Sequence, residues 1–314
     1  MLFTACSPFA QEIHTAKITV RVVDESGKPL TNVPVVTSVV DHFSTSGFEA
    51  PVYRDITLPT DKHGLAVIRA PGAEQELPYW VADFPSFYNE SGKYIFKGAT
   101  MGNWQPWNPT VQLVMEAIGV QVPMYATGSD DLAMPAQGKP VGYDLMVGDW
   151  LAPFGKGETP DFIFQWDTVR VGAMTTNYLT LRFPNEGDGI QFVAKTGTGL
   201  ILPRLAPVDG YEPMLIKWES TEHGTNARVP FVKGDSNYRY AAWYLFRIRT
   251  KMDSNGKIVS AFYGKLTGDD FGHNLRQGKF DFTYCLNPEP NSRNMEFDPK
   301  RNLFGKPSPF KPAP

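Results

Sequence analysis

Cysteine is almost missing from this chain: 314 residues contain only Cys6 and Cys285. A pair so far apart is no disulfide framework, so packing and hydrogen bonding must hold the fold. No uninterrupted apolar run approaches the ~18–20 residues a helix needs to cross a bilayer, which excludes a helical transmembrane segment. A block of basic residues is missing as well. With 30 Lys and Arg against 33 Asp and Glu, the formal net charge is -3, which offers a phosphate backbone no electrostatic footprint, and nucleic acid is not expected as a partner. Local catalytic signatures are equally scarce. There is no Gly-x-Ser-x-Gly elbow and no Cys-His signature for a nucleophile. The five histidines, His14, His42, His63, His223 and His273, include no two at the spacing of metal ligands.

What the chain does contain is glycine, proline and aromatic rings. Gly 28, Pro 27 and an aromatic share of 13% favour many short strands joined by tight turns over long helices. At this length two globular units are the first expectation. The fold class expected is all-β, with two antiparallel β-sandwich domains: an immunoglobulin- or transthyretin-like one at residues 17–117 and a larger jelly-roll-like one at 118–304. Residues 1–16 read as a signal-like or disordered N-terminus and 305–314 as a Pro-rich, extended tail.

In the first domain Ile18, Val20 and Val22 alternate with Thr19, Arg21 and Val23 as a half-buried strand does. A turn follows at Asp24-Glu25-Ser26-Gly27-Lys28-Pro29, then the β-branched run Asn32 to Val40. Thr60-Asp61-Lys62-His63-Gly64 leads into a short strand from Leu65 to Arg69, and Val111 to Glu116 closes the unit. In both turns glycine supplies positive φ and aspartate can hydrogen-bond nearby backbone. This order, with Leu30 and Val33-Pro34-Val35 after the first turn, resembles the carboxypeptidase regulatory-like domain. The resemblance covers about a third of the chain and implies an accessory module common in exported proteins, without chemistry of its own. The segment Leu77 to Asn108 departs from that pattern, with Tyr79, Trp80, Phe84, Phe87, Tyr88, Tyr94, Phe96, Trp104 and Trp107 crowded into it.

The second domain reads as strands at Val141–Val147, Asp161–Val171, Tyr178–Phe183, Ile190–Thr196, Met214–Trp218, Arg228–Val232, Tyr238–Lys251, Ile258–Leu266 and Lys279–Leu286. Asp253-Ser254-Asn255-Gly256 joins the clearest hairpin, where Tyr240, Ala242, Tyr244, Phe246 and Ile248 share one face and Arg239, Arg247, Arg249 and Lys251 the other. In the last strand Phe280, Phe282, Tyr284 and Leu286 share a face, with Cys285 opposite as a free, unreactive thiol. The series from Asn287-Pro288 through Lys300 resembles that of exported bacterial β proteins of uncharacterised activity and implies none.

Met1 to Ala10 reads as the tail of an export signal. Phe3-Thr4-Ala5-Cys6 sets small residues before a cysteine, as a bacterial lipoprotein cleavage site does, so Cys6 is a candidate lipid anchor, weighed against an incidental cysteine. The compartment expected is outside the cytoplasm: periplasmic, cell-surface or extracellular.

Candidate ligand-binding residues are Trp104 and Trp107, in the doubly proline-flanked segment Trp104-Gln105-Pro106-Trp107-Asn108-Pro109, together with Tyr88. Flat aromatic faces on a loop stack against sugars or partner side chains, unless they plug a core. A second candidate region is Asp149, Glu158, Asp161 and Asp167 around Trp150 and Trp166, where paired carboxylates would serve glycoside cleavage and solvated acids beside core tryptophans would not. No cofactor is expected. Asp253-Ser254-Asn255-Gly256 begins like a calcium loop but lacks its closing bidentate acid and reads as a hairpin turn. Calcium at a sandwich edge, with Asp269-Asp270 or Asp130-Asp131, is left open. These features point to a non-catalytic binding protein with a glycan or cell-envelope component as partner. A polysaccharide-active enzyme and a structural envelope component are the alternatives.

Overall fold

A computed structural model describes residues 14–42, 51–193, 202–222, 228–232, 243–267 and 274–307. Cys6, His223, His273, Asp269-Asp270, residues 238–242 and the tail beyond 307 lie outside them, as does the side chain of His42. The protein is all-β: among the described residues the only helical turn is a 3-10 turn at Leu275–Gln277. No helix among them is long and apolar enough to cross a membrane. The chain divides into two compact units, Met1–Ile118 and Gly119–Pro314.

The first unit contains β1 (His14–Asp24), β2 (Pro34–His42), β3 (Val52–Pro59), β4 (Leu65–Ala73), β5 (Glu76–Val81), β6 (Glu90–Ile95), β7 (Gly98–Thr100), β8 (Asn103–Gln105) and β9 (Thr110–Met115). One sheet runs β4-β1-β8-β7, with β9 also on β1, and the other runs β3-β2-β5-β6. Period-two burial sets which face each strand turns inward. Ala16, Ile18, Val20 and Val22 of β1 are fully buried, and Ile68 and Ala66 of β4 lie opposite Ile18 and Val20. With Val33, Val35, Val39, Leu77, Tyr79 and Val81 they form one core. Burying each such side chain stabilises by about 1.5–3 kcal/mol, so a one-residue slip of β1, which would turn this row to water, is strongly disfavoured. The sheet is not purely antiparallel, because β9 and β8 lie parallel to β1.

The turn chemistry recurs three times in one form. Asp24, Asp61 and Asp253 each accept, on one carboxylate oxygen, the N–H groups two and four residues onward. Gly27, Gly64 and Gly256 follow three residues after them at φ 82, 73 and 77. Aspartate satisfies the turn amides, and glycine supplies a left-handed conformation that other residues rarely adopt. The Asp253 turn closes a hairpin, whereas those at Asp24 and Asp61 carry the chain from one sheet of the first unit to the other; in each the carboxylate is engaged by the chain's own amides.

The second unit contains β10 (Val122–Ala133), β11 (Val141–Asp144), β12 (Asp149–Trp150), β13 (Phe162–Val171), β14 (Met174–Arg182), β15 (Gly189–Val193), β16 (Met214–Glu222), β17 (Arg228–Val232), β18 (Trp243–Met252), β19 (Ile258–Thr267), β20 (Lys279–Leu286) and β21 (Phe297–Asn302). Its two sheets run β15-β18-β19-β20-β10-β21 and β12-β11-β13-β14-β16-β17. Tyr143, Phe162, Phe164, Leu179 and Leu181 from one meet Tyr244, Phe246, Ile248, Phe280, Phe282 and Tyr284 from the other. The rings pack edge to face, with Tyr143 on Phe282 at 5.3 Å and 87° and Phe162 on Phe246 at 5.0 Å and 80°, the geometry that aligns ring quadrupoles favourably. Gly264 is obligatory here, because a Cβ would run into the Phe246 ring and the Cys285 carbonyl.

The β18 sheet is covered on its other face too. Leu245, Ala261 and Tyr263 pack there against Leu202, Ala206 and Met295, and Cys285 against Met124, Ala126 and Phe297. That double cover explains why β18 is buried from Tyr244 through Ile248 without alternation.

Several strand limits differ from the sequence reading for identifiable reasons. β1 starts at His14, so its first three residues fall in the stretch expected to be signal-like or disordered. β11 stops at Asp144 because that carboxylate captures the N–H groups of Met146 and Val147. β14 starts at Met174 rather than Tyr178, directly after a turn at Gly172 with φ 60. β10, where no strand is expected, is a 12-residue strand; its polar Gly128-Ser129-Asp130-Asp131 hides the alternation and carries a bulge against β20.

Candidate functional site

The aromatic segment before β9 divides its two tryptophans between core and solvent. Trp104, on β8, turns inward: Nε1 donates to the Ala73 carbonyl at 2.7 Å, and the ring lies 6.1 Å from Phe96 at 22° and edge-on to His14 at 4.7 Å. Trp107 is 40% exposed. Its backbone neighbourhood is nevertheless tied down. The Asn108 N–H donates to the Lys17 carbonyl at 2.9 Å, the Thr19 N–H donates to the Pro109 carbonyl at 2.8 Å, and the Thr19 hydroxyl donates to Asn108 Oδ1 at 3.0 Å. Lys17 Nζ stands 6.0 Å from the Trp107 ring centroid, within cation–π range. Tyr88 is buried, at 4% exposure, with its N–H donating to the Glu116 carbonyl, so its ring presents no stacking face. Of the three aromatic residues singled out in this unit, Trp107 is the one available to a ligand.

In the second unit the residues around Trp150 and Trp166 are committed to the fold. Trp150 is buried, wedged edge-on between Tyr143 at 5.1 Å and Phe164 at 5.7 Å. Trp166 is half-buried; its Nε1 donates to the Leu275 carbonyl at 2.9 Å, and its ring leaves no room for a Cβ on Gly278. Asp149 accepts the N–H groups of Trp150 and Lys156 and so ties down the loop after β12. Asp167 accepts from the Gln165 amide, and Glu158 is exposed.

Asp161 is different. It is fully buried and accepts Arg249 Nε at 2.6 Å, Arg249 Nη2 at 2.9 Å and the Leu145 N–H at 2.8 Å. Arg249 Nη2 also donates to Asp144 at 3.1 Å. Asp144 further accepts the N–H groups of Met146, Val147, Glu158 and Thr159. Asp188 completes the group by accepting the N–H groups of Arg249 and Thr250, which a bulge in β18 withdraws from the ladder, with Arg249 at φ 50.

Electrostatics separates the two acids that share the guanidinium. Burial pushes the Asp161 carboxyl up, and the Arg249 and Leu145 donors pull against it without overcoming it. At Asp144 burial acts upward as well, but the backbone N–H donors of Thr159, Glu158 and Val147 together with Arg249 win and hold it below its ordinary value. Arg249 is held above its usual value: burial works against its charge, and the two aspartates outweigh burial. With both carboxylates engaged by donors from the chain itself, this cluster is a clamp joining residues 144–161 to β18, not a pair of carboxylates waiting for a sugar. No family model, curated protein or solved structure matches the chain.

Elsewhere the chemistry-bearing groups are quiet or structural. Cys285 is free and buried, and burial pushes its thiol up to about 12, which leaves almost no thiolate at neutral pH. Lys265 lies opposite it on β19, with burial pushing its ammonium down and Nζ donating to the Met295 carbonyl at 3.1 Å. Asp131 accepts from the Asn274 amide and lies 3.6 Å from Lys279 Nζ. Among the described residues no three His, Cys, Asp or Glu side chains gather closely enough to hold a metal ion. Sequence reasoning missed Asp144, Asp188 and Arg249. Arg249 announces itself only as one of several charges alternating along β18, and its partners lie 88 and 105 residues away.

Proposed function

We propose that the protein is an exported or surface-anchored binding protein without catalytic activity, and that it recognises a glycan of the cell envelope by stacking it on Trp107. The observation that carries this reading is the contrast at one loop, where a large apolar ring is left in solvent while the backbone on its C-terminal side is hydrogen-bonded to β1. A ring held in place loses little freedom on binding, so its contact energy is retained. The engagement of Asp144 and Asp161 by backbone and guanidinium donors favours binding over hydrolysis. Export rests on the small residues ahead of Cys6 and on the turn motifs at Asp24 and Asp61 that resemble an exported accessory domain.

Glycan-array binding followed by calorimetry tests the assignment. Trp107→Ala is expected to weaken glycan binding by about tenfold or more, the size of a truncated interface anchor, while the melting temperature stays unchanged. Retained affinity in that variant removes Trp107 from the site. For the anchor, Cys6→Ser should release the protein from the membrane fraction, and an unchanged distribution removes lipidation.

A further inference from the structure

The two sheets of the first unit treat charge in opposite ways. In the sheet formed by β2, β3, β5 and β6, the two long basic side chains each meet an acid: Arg54 lies 3.0 Å from Asp41 and Lys93 lies 3.0 Å from Glu76. In the sheet formed by β1, β4, β7, β8 and β9, the bases are Lys17, Arg21 and Arg69, and the only acid is Asp24 at the very end of β1, where it caps its own turn. None of these three bases has a carboxylate partner among the described residues. They also share one face. Lys17 and Arg21 alternate with the buried Ile18, Val20 and Val22, so they point away from the core, and Arg69 lies directly across from Lys17 in the β1–β4 register. Thr110 and Gln112 of β9, both exposed, stand beside Thr19 and Arg21 on the same face. Trp107 borders the row, with Lys17 Nζ at its ring.

A face with three unpaired cations, hydroxyl and amide neighbours and one exposed indole complements a ligand that carries both negative charge and a stackable ring. We infer that this outer face binds an acidic polysaccharide, one whose sugars bear carboxylates, with a sugar ring on Trp107 and its carboxylate groups on Lys17, Arg69 and Arg21. The inference rests on the glycan reading of Trp107 and adds the ligand's charge. The single exposed indole beside this row favours a polysaccharide over a single-stranded nucleic acid, which is held by several aromatic side chains stacking successive bases along a basic groove.

Polygalacturonate and its fully methyl-esterified form supply the same sugar backbone with and without charge. Calorimetry on the whole protein at low salt is expected to show roughly tenfold tighter binding of the charged polymer, with that advantage collapsing as salt screens it. Lys17→Gln with Arg69→Gln should abolish the preference while binding of the esterified polymer persists, and Lys17→Arg should restore most of the Lys17 share. Equal affinity for both polymers overturns the acidic ligand and leaves the glycan reading standing. Absence of binding to either polymer, with a glycan array also blank, overturns both. Tighter binding to oligo-deoxythymidine or to vesicles containing phosphatidylglycerol than to polygalacturonate overturns the polysaccharide assignment as well.

Discussion

Arg249 in the second unit and Lys17 in the first are both strand cations, and they show two opposite uses of charge. Arg249 is enclosed by Asp144 and Asp161, with Asp188 holding the backbone of its bulge. Lys17 is half-buried beside an indole, with the exposed Arg69 across the ladder and no carboxylate partner among the described residues. The first arrangement consumes its charges in joining a loop to a strand. The second leaves them available, and availability is what a binding surface requires. Density of charge therefore says less about function than whether each charge is already satisfied.

Breaking the enclosed arrangement is expected to have the largest effect. Asp161→Asn removes one of the two carboxylates from the guanidinium and leaves Asp144 as its partner; with Arg249 partly exposed and burial already opposing the Asp161 charge, the cost is about 1–3 kcal/mol, that of lost hydrogen bonds to a charged group. Urea unfolding should show that loss as a lower midpoint with an unchanged slope. A simultaneous Arg249→Met replacement is expected to recover part of it, because no guanidinium then faces a neutral amide and Asp144 keeps its backbone N–H donors; no recovery would mean that the geometry of the bulge, rather than charge pairing, is what the clamp supplies.

Acid titration sharpens the same point with a smaller effect. The Asp144 carboxyl is held below its ordinary value near 3.8, so its contribution is fully present above that value and lost as pH falls through the lower folded-state pKa. Asp161 is shifted the other way, and its contribution changes sign accordingly: protonation relieves its burial penalty. Asp144→Asn should therefore lower stability at neutral pH and flatten the decline below about pH 4, read from unfolding midpoints across a pH series. An equally steep decline in the variant would place the acid sensitivity elsewhere.

The smallest effect is expected on the exposed face. Lys17→Gln and Arg69→Gln should each change stability by no more than about 0.5 kcal/mol, as substitutions of unpaired surface charges do. A clear loss in either variant would show that these cations serve the fold after all.

The sequence carried much of this in its periodicity. The strands at β13 and β20 are legible because one face is apolar and turn residues bracket them, and the Phe280, Phe282, Tyr284 and Leu286 row faces the core as alternation requires, with Cys285 opposite. β5 to β8 were not legible. Their aromatic residues lie on both faces and prolines interrupt them, so no period emerges from Leu77 to Asn108. The fate of the two tryptophans is half visible. Three residues apart in extended chain, they cannot share a face, but which of them turns inward depends on Phe96 and Ala73, which a local pattern does not show. The Arg249 clamp is invisible to local reading because a bulge at φ 50 resets the side-chain direction and its partners come from distant strands.

β10 has an unusual place in the second sheet. It is the first strand of its unit to leave the ribosome, and its neighbours on either side, β20 and β21, are the last; the Asp131 N–H waits for a carboxylate 150 residues later. Until residues 279–302 arrive, both edges of β10 are without the partners they have in the finished sheet, and exposed edges of this kind recruit whatever strand is nearby. Closure of this sheet thus waits for the last two strands of the unit to reach the first one.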